Sequence, residues 1–115
     1  MKATAEIDAG ICGFHTTVRA GSEDDQHVTF DLETNCEKIS HLGARLKAQG
    51  PLDAYEEINP AATSRLLETV RASLPGCCAG CAVPVGLFKA MQVAAGLALP
   101  KDIHITIAVA NQQPG

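Results

Sequence analysis

From Lys2 to Ile11 apolar and polar residues alternate without a break. Ala3, Ala5, Ile7, Ala9 and Ile11 fall on one side, and Lys2, Thr4, Glu6 and Asp8 on the other. A period of two is the signature of a half-buried strand. Gly10-Ile11-Cys12-Gly13 then brackets Cys12 with two glycines, which reads as a turn or bulge. Alternation resumes from Phe14 to Ala20, with Phe14, Thr16, Val18 and Ala20 on the inner side. After the acidic stretch Gly21 to Gln26 it returns from His27 to Thr34, with Val28, Phe30 and Leu32 inward. If that loop closes a hairpin centred on Asp24, Ala20 faces Val28, Phe14 faces Thr34 and, one pair further, Cys12 faces Cys36. A shift of a residue or two in the loop alters these pairs. It still leaves Cys12 and Cys36 at the same end of the sheet.

The period then changes. Thr34-Asn35-Cys36-Glu37 has the form of a capping box, which places Cys36 in the first turn of a helix lined inside by Ile39, Leu42 and Leu46. Gly50-Pro51 ends it. Leu52 to Ile58 reads as a short helical turn. Ala61 to Leu74 reads as a helix carrying Ala62, Leu66, Val70 and Leu74 on one stripe, stopped by Pro75-Gly76. Pro84 suits the first position of a last helix, with Leu87, Phe88, Met91, Ala94, Ala95 and Ala98 forming a wide apolar face up to Pro100. Gly86, Ala90 and Ala94 recur at every fourth position, which permits close approach of a neighbour. Lys101 to Ala110 alternates once more, with Ile103, Ile105, Ile107 and Val109 expected inward and His104 and Thr106 outward; Asn111 to Gly115 are expected to fray.

The predicted order is βββ-ααα-β. Strands with one polar face imply an α+β fold, a two-layer sandwich whose mainly antiparallel four-stranded sheet carries its helices on one face. The 115 residues are expected to form a single domain, residues 1–115.

Composition narrows the function. Aromatic residues make up 3% of the chain, so the core must be aliphatic and an aromatic platform for stacked bases is not expected. The net charge is −4 and no Lys/Arg cluster occurs, which argues against nucleic acid as a partner. The first residues lack the apolar stretch of a signal peptide, and no apolar run reaches the ~18 residues of a membrane span. A cytoplasmic protein without a membrane partner is therefore the expectation. In a reducing compartment, cysteines serve more often as metal ligands, redox thiols or small buried hydrophobes than as disulfides.

The five cysteines are the candidate chemistry. Cys77, Cys78 and Cys81 fall within five residues, immediately before the last helix. A thiol at a helix N-terminus meets free backbone N–H groups and the positive end of the helix dipole, both of which favour thiolate. The predicted site is a metal centre of Cys12, Cys36, Cys81 and one of Cys77 or Cys78. Cys78 is favoured because Cys78-Ala79-Gly80-Cys81 gives the C-x₂-C bite. Four sulfurs suit zinc or an iron–sulfur cluster; zinc is preferred because there is only one short C-x₂-C pair. Four ligands would make a closed, structural zinc site, whereas three would leave a position open. The rival chemistry is dithiol redox at Cys78 and Cys81, although a helix rather than a strand precedes the motif. The bland alternative is a structural or interaction module without metal, whose cysteines are small core residues; an apolar patch on the last helix could then serve a homodimer.

Other polar residues offer less. His27 and His104 lie on outward strand positions, His41 falls off the inner stripe of its helix, and His15 points away from Phe14 as a poor fourth ligand. Asp24-Asp25 and Glu56-Glu57 read as solvated charge. No phosphate loop, Ser/His/Asp order or H-E-x-x-H element occurs, so whether the chain is an enzyme stays open.

Gly10-Ile-Cys-Gly-Phe14, together with Cys81-Ala-Val-Pro-Val-Gly-Leu-Phe-Lys-Ala90 and its continuation Ala95-Gly-Leu-Ala-Leu-Pro-Lys-Asp-Ile103, resembles a family of small uncharacterised proteins, a domain of unknown function found mainly in anaerobic microbes. The likeness extends over nearly the whole chain and carries no established activity. It implies Cys12, Cys36 and Cys81 as the core thiols. Cys81-Ala-Val-Pro84 is also similar to the Cys-Pro-x-Pro motif of small sulfur-carrier proteins but departs from it at Ala82, which leaves sulfur transfer as an alternative.

Overall fold

The computed structural model describes residues 1–59, 61 and 63–110. Three alternating segments form β1 (Lys2–Asp8), β2 (His15–Gly21) and β3 (His27–Thr34). They lie in chain order in an antiparallel sheet, and a two-residue β4 (Leu52–Asp53) pairs with the start of β3 as the fourth strand. The helices are α1 (Glu37–Gln49), α2 (Ala54–Ile58), α3 (Arg65–Ser73) and α4 (Val83–Ala94), with a 3₁₀ turn at Gly76–Gly80. The fold is α+β, as the patterning implies. None of the described helices is long and apolar enough to cross a membrane.

The alternation places the core. Val18, Ala20, Val28 and Phe30 turn one face of the sheet toward Ile39, Leu42 and Leu46 of α1 and Leu87, Met91 and Ala94 of α4, all buried. Burying an aliphatic side chain of this size contributes about 1.5–3 kcal/mol. The opposite face is charged: Arg19 lies 3.8 Å from Asp31 and 3.2 Å from Glu33 across the strands. α4 approaches β1 closely at Gly86. A Cβ built there would lie 2.2 Å from Ile7 Cδ1, so the small residue is a condition of this docking.

Several expectations need correction. The β2–β3 register pairs Ala20 with Phe30, Val18 with Leu32 and Thr16 with Thr34. The hairpin therefore centres on Asp25, not Asp24. Asp25 takes a positive φ of 60°, and the Asp24 carboxylate accepts hydrogen bonds from the Gln26 and His27 amides at 2.9 and 2.7 Å. These local bonds set the loop length, and with it the register. Cys12 is thus not directly opposite Cys36, though both remain at the same end. Ile11 and Phe14 are exposed, because β1 stops at Asp8 and Gly10 and Gly13, both with positive φ, fold the link into a tight turn. The capping box does not form. Thr34 Oγ1 accepts from the Cys36 amide at 3.1 Å instead, and Cys36 itself is the N-cap of α1.

The Leu52–Ile58 segment divides into β4 and α2, with the Asp53 side chain capping α2 through the Tyr55 and Glu56 amides. α3 starts late because Ser64 is its cap; Ala62 of the predicted stripe lies outside the described residues. Glu57 is buried rather than solvated. It accepts from the Ser64 hydroxyl and, at 3.1 Å, from the Leu66 amide, tying α2 to the start of α3.

The largest correction is at the far end. Residues 101–110 are not a strand of this sheet. α4 ends in a Schellman turn, with Gly96 at φ 75°, the Leu97 amide donating to Gln92 O at 2.7 Å and the Gly96 amide to Val93 O at 3.0 Å. Beyond it the chain runs exposed through Leu99 and Pro100, and Ile103, Ile105, Ile107 and Val109 face solvent. The predicted fraying of Asn111 to Gly115 lies outside the described residues.

Gly86→Ala gains about 1 kcal/mol of helix propensity but must displace Ile7 at a typical overpacking cost of about 1–3 kcal/mol. A net loss of up to ~2 kcal/mol is expected by denaturant melt, recovered when Ile7→Ala is added. A second outcome concerns the hairpin loop. The His27 amide and ring, 2.7 Å away in each case, hold the Asp24 carboxyl far below the usual carboxylate range, and Asp24 in turn raises His27 above the ordinary histidine value. The raised histidine contributes stability that is full below pH ~6.5 and lost as pH rises through its folded value. The depressed Asp24 contributes stability present above pH ~3.9 and lost as pH falls through its folded value. In an NMR titration of Asp24→Asn, His27 returns toward ~6.5.

Candidate functional site

Three of the fold's joints meet at the sheet end that holds the β1–β2 turn. Cys12 occupies that turn, in the loop pinned by the Gly13 amide donating to Gly10 O at 2.9 Å. Cys36 caps α1 directly after β3. Cys78 lies in the 3₁₀ turn, and Cys81 follows it, its amide donating to Cys78 O at 3.1 Å. This turn forms because Pro75 and the positive-φ Gly76 end the α3 segment and force a reversal before Pro84 enters the first turn of α4.

All four are free thiols. Cys12 is exposed, while Cys36, Cys78 and Cys81 are half-buried against the core cluster. Lys38, in the first turn of α1, donates from Nζ to Cys78 Sγ at 3.4 Å. This contact joins α1 to the turn across 40 residues of sequence and sets a positive charge beside the sulfur.

Cys81 reports the convergence. Its thiol is pushed above the ordinary value first by burial and then by the charges of Cys12, Cys36 and Cys78, against a lowering by the hydrogen bond from the Val83 amide. Thiols from three separate segments therefore lie close enough to Cys81 to repel its ionised form. They are neighbours, not a closed ligand set: among the described residues, no three His, Cys, Asp or Glu side chains are arranged to hold a metal ion. The Cys77 side chain lies outside the described residues.

At Cys81 the start of α4 does not prevail in favouring the thiolate. The Val83 amide does act in that direction, but burial and three like neighbours outweigh it. Sequence reasoning also missed Lys38, whose only signal was a cation two residues beyond Cys36. His15 is committed elsewhere, its ring nitrogens 2.8 Å from Asp8 and 2.6 Å from Glu6, which raise its basicity in that order. That removes it from the thiol group.

Fold and site together define a small sheet-and-helix domain with a rim of gathered thiols. The chain belongs to a family of unknown function (DUF6951), whose model matches residues 3–107 and so spans all four of these cysteines. No curated protein and no solved structure matches the chain.

In metal-free protein, alkylation as a function of pH should show Cys81 ionising above the ~8.5 of an ordinary thiol. The apparent value should fall in Cys36→Ala, where one repelling neighbour is removed. Because the folded value is raised, the contribution of Cys81 to stability is full below the ordinary thiol value and is lost as pH rises through the folded one. Cys81→Ala abolishes that part of the alkaline decline in Tm.

Proposed function

We propose that the domain uses Cys12, Cys36, Cys78 and Cys81 as a thiolate centre for a metal, zinc in preference to an iron–sulfur cluster. The observation that supports this reading is the gathering of Cys12, Cys36 and Cys78, from the β1–β2 turn, the α1 cap and the turn before α4, around Cys81. Chance placement of small core residues does not require an exposed cysteine to join three half-buried ones at one rim. Burial first, and then the neighbouring thiols, disfavour a bare thiolate at Cys81, and a bound divalent cation would supply the charge that such a thiolate lacks. Cys12, Cys36, Cys78 and Cys81 would hold such an ion as thiolates, and its charge would offset the repulsion between the sulfurs. The donor chemistry of four cysteines suits a soft, sulfur-binding ion such as zinc. The Lys38 ammonium complements the net negative charge of a four-thiolate zinc site.

A second reading, dithiol exchange at Cys78 and Cys81, is favoured by one observation, the Lys38 contact to the Cys78 sulfur. In that chemistry the Cys78 thiolate attacks a substrate disulfide, breaking its S–S bond, expelling one substrate thiolate and forming a mixed disulfide with the other half. Cys81 then displaces the product thiol, leaving a Cys78–Cys81 disulfide in the protein. The raised Cys81 weakens this reading, since its own attack needs the thiolate.

Protein purified without oxygen and assayed for metal content and visible absorption separates the two. The metal reading expects one zinc per chain, or the absorption of an iron–sulfur cluster. Adding zinc to metal-free protein should release protons and raise Tm, by about 2.7 kcal/mol of stability when free zinc is a hundredfold above Kd. Cys36→Ser and Cys81→Ser should each weaken binding by more than the ~10–100-fold that an outer-shell change costs. Metal-free protein that instead cycles through a reversible two-electron mass change at Cys78 and Cys81 establishes dithiol exchange in its place.

A further inference from the structure

Residues 101–110 and the free edge of β1 are two halves of one unmade interaction. The segment has a strand's alternating pattern, yet it lies in no sheet, and Ile103, Ile105, Ile107 and Val109 are 50, 68, 89 and 95% exposed. The family match continues to residue 107, so most of this arm belongs to the domain and is not an appended tail.

The receiving edge can be read from the ladder. Met1 and Ser22 exchange both backbone hydrogen bonds, and the Ala9 amide donates to Phe14 O. Antiparallel pairs alternate between bonded and non-bonded. Ala3, Ala5 and Ile7 therefore direct their backbone groups at β2, while Lys2, Thr4, Glu6 and Asp8 present theirs outward from the sheet. β1 is a terminal strand of the sheet, so among the described residues nothing pairs with that row. Its inner side chains Ala3, Ala5 and Ile7 are only half-buried. An open edge of this kind is a template for another strand.

Beside that edge lies a groove of about 1450 Å³, walled by β1, by α4 residues such as Val85 and Lys89, and by the first part of the arm, Pro100 to Ile105. In the single copy residues 101–110 join no sheet and their isoleucines face solvent, so the chain's own arm does not occupy that edge. The segment with a matching row of unpaired backbone groups and a matching apolar face is the arm of a second copy. A two-fold axis makes the exchange reciprocal, each copy giving its arm and receiving the other.

We propose that this chain forms a strand-exchanged homodimer in which residues 101–110 of each copy add to the open edge of β1 in the other. Ile103, Ile105 and Ile107 extend the apolar face begun by Ala3, Ala5 and Ile7, and α4 of the receiving copy covers them. The inference is independent of the thiol centre.

The test is the mass of the full chain in solution, by light scattering or native mass spectrometry at micromolar concentration, with amide exchange read over residues 101–110. The expected result is twice the 12.0 kDa chain mass with protected arm amides. Two variants should each return the mass to 12.0 kDa while leaving the far-UV spectrum of the domain intact. Ile105→Lys with Ile107→Lys changes side chains that are exposed in the single copy. Thr4→Pro removes one outward donor from β1 without touching the β2 ladder. A monomer with unprotected arm amides overturns the proposal. So does a monomer with protected ones, which places the arm on its own β1, and so does a dimer indifferent to both variants.

Discussion

The seating of α4 across β1 and β2 is the contact on which the rest of the molecule depends. Leu87, Met91 and Ala94 are buried on the sheet, and Gly86 lets the helix approach until Ile7 fills the space a Cβ would need. That seating decides where the N-terminal end of α4 lies, and Cys81 is two residues ahead of it. A larger residue at position 86 would lift the helix and with it the thiol. Packing in the interior and chemistry at the rim are therefore one problem, because dense cores transmit displacement instead of absorbing it.

The rim is built from segment ends, and that explains its chemistry. A strand-to-strand turn, a strand-to-helix junction and a helix-to-helix reversal each bring a cysteine to the same side without any cysteine being essential to the core. Cys36, Cys78 and Cys81 keep contact with apolar neighbours, which desolvates them, while Cys12 stays in water. Partial burial and mutual repulsion hold Cys81 in its neutral form. A thiol held neutral is a poor nucleophile, since the thiolate is the attacking form. Lys38 adds the charge that a sulfur cluster lacks.

The opposite face of the sheet tells a different story. Arg19 with Asp31 and Glu33, and His15 with Glu6 and Asp8, are exposed pairs on strand positions that the alternation turns outward. Exposed pairs of this kind contribute little to stability. Their effect is to keep one face wet, so that helices cover only the other. The wet face and the covered face meet at β1, where half-buried alanines and a backbone row that no strand among the described residues pairs with leave the sheet open.

Period and punctuation alone determined a good part of this molecule: three strands, the inner faces of α1 and α3, the turn at Gly10 and Gly13, and the grouping of Cys12 with Cys36 at one end. These are legible because each depends on neighbours within a few residues, where backbone sterics and side-chain spacing act directly. The hairpin register turned on the Asp24 carboxylate capping two amides, a choice between loops that alternation leaves equal. The burial of Glu57 and the Lys38 contact with Cys78 arise between segments brought together only by folding. The segment from Lys101 to Ala110 shows the limit most clearly, since its alternation specifies a strand but not which edge that strand will join. Partnership between strands is a property of tertiary structure, where backbone groups far apart in the chain are either paired or left open.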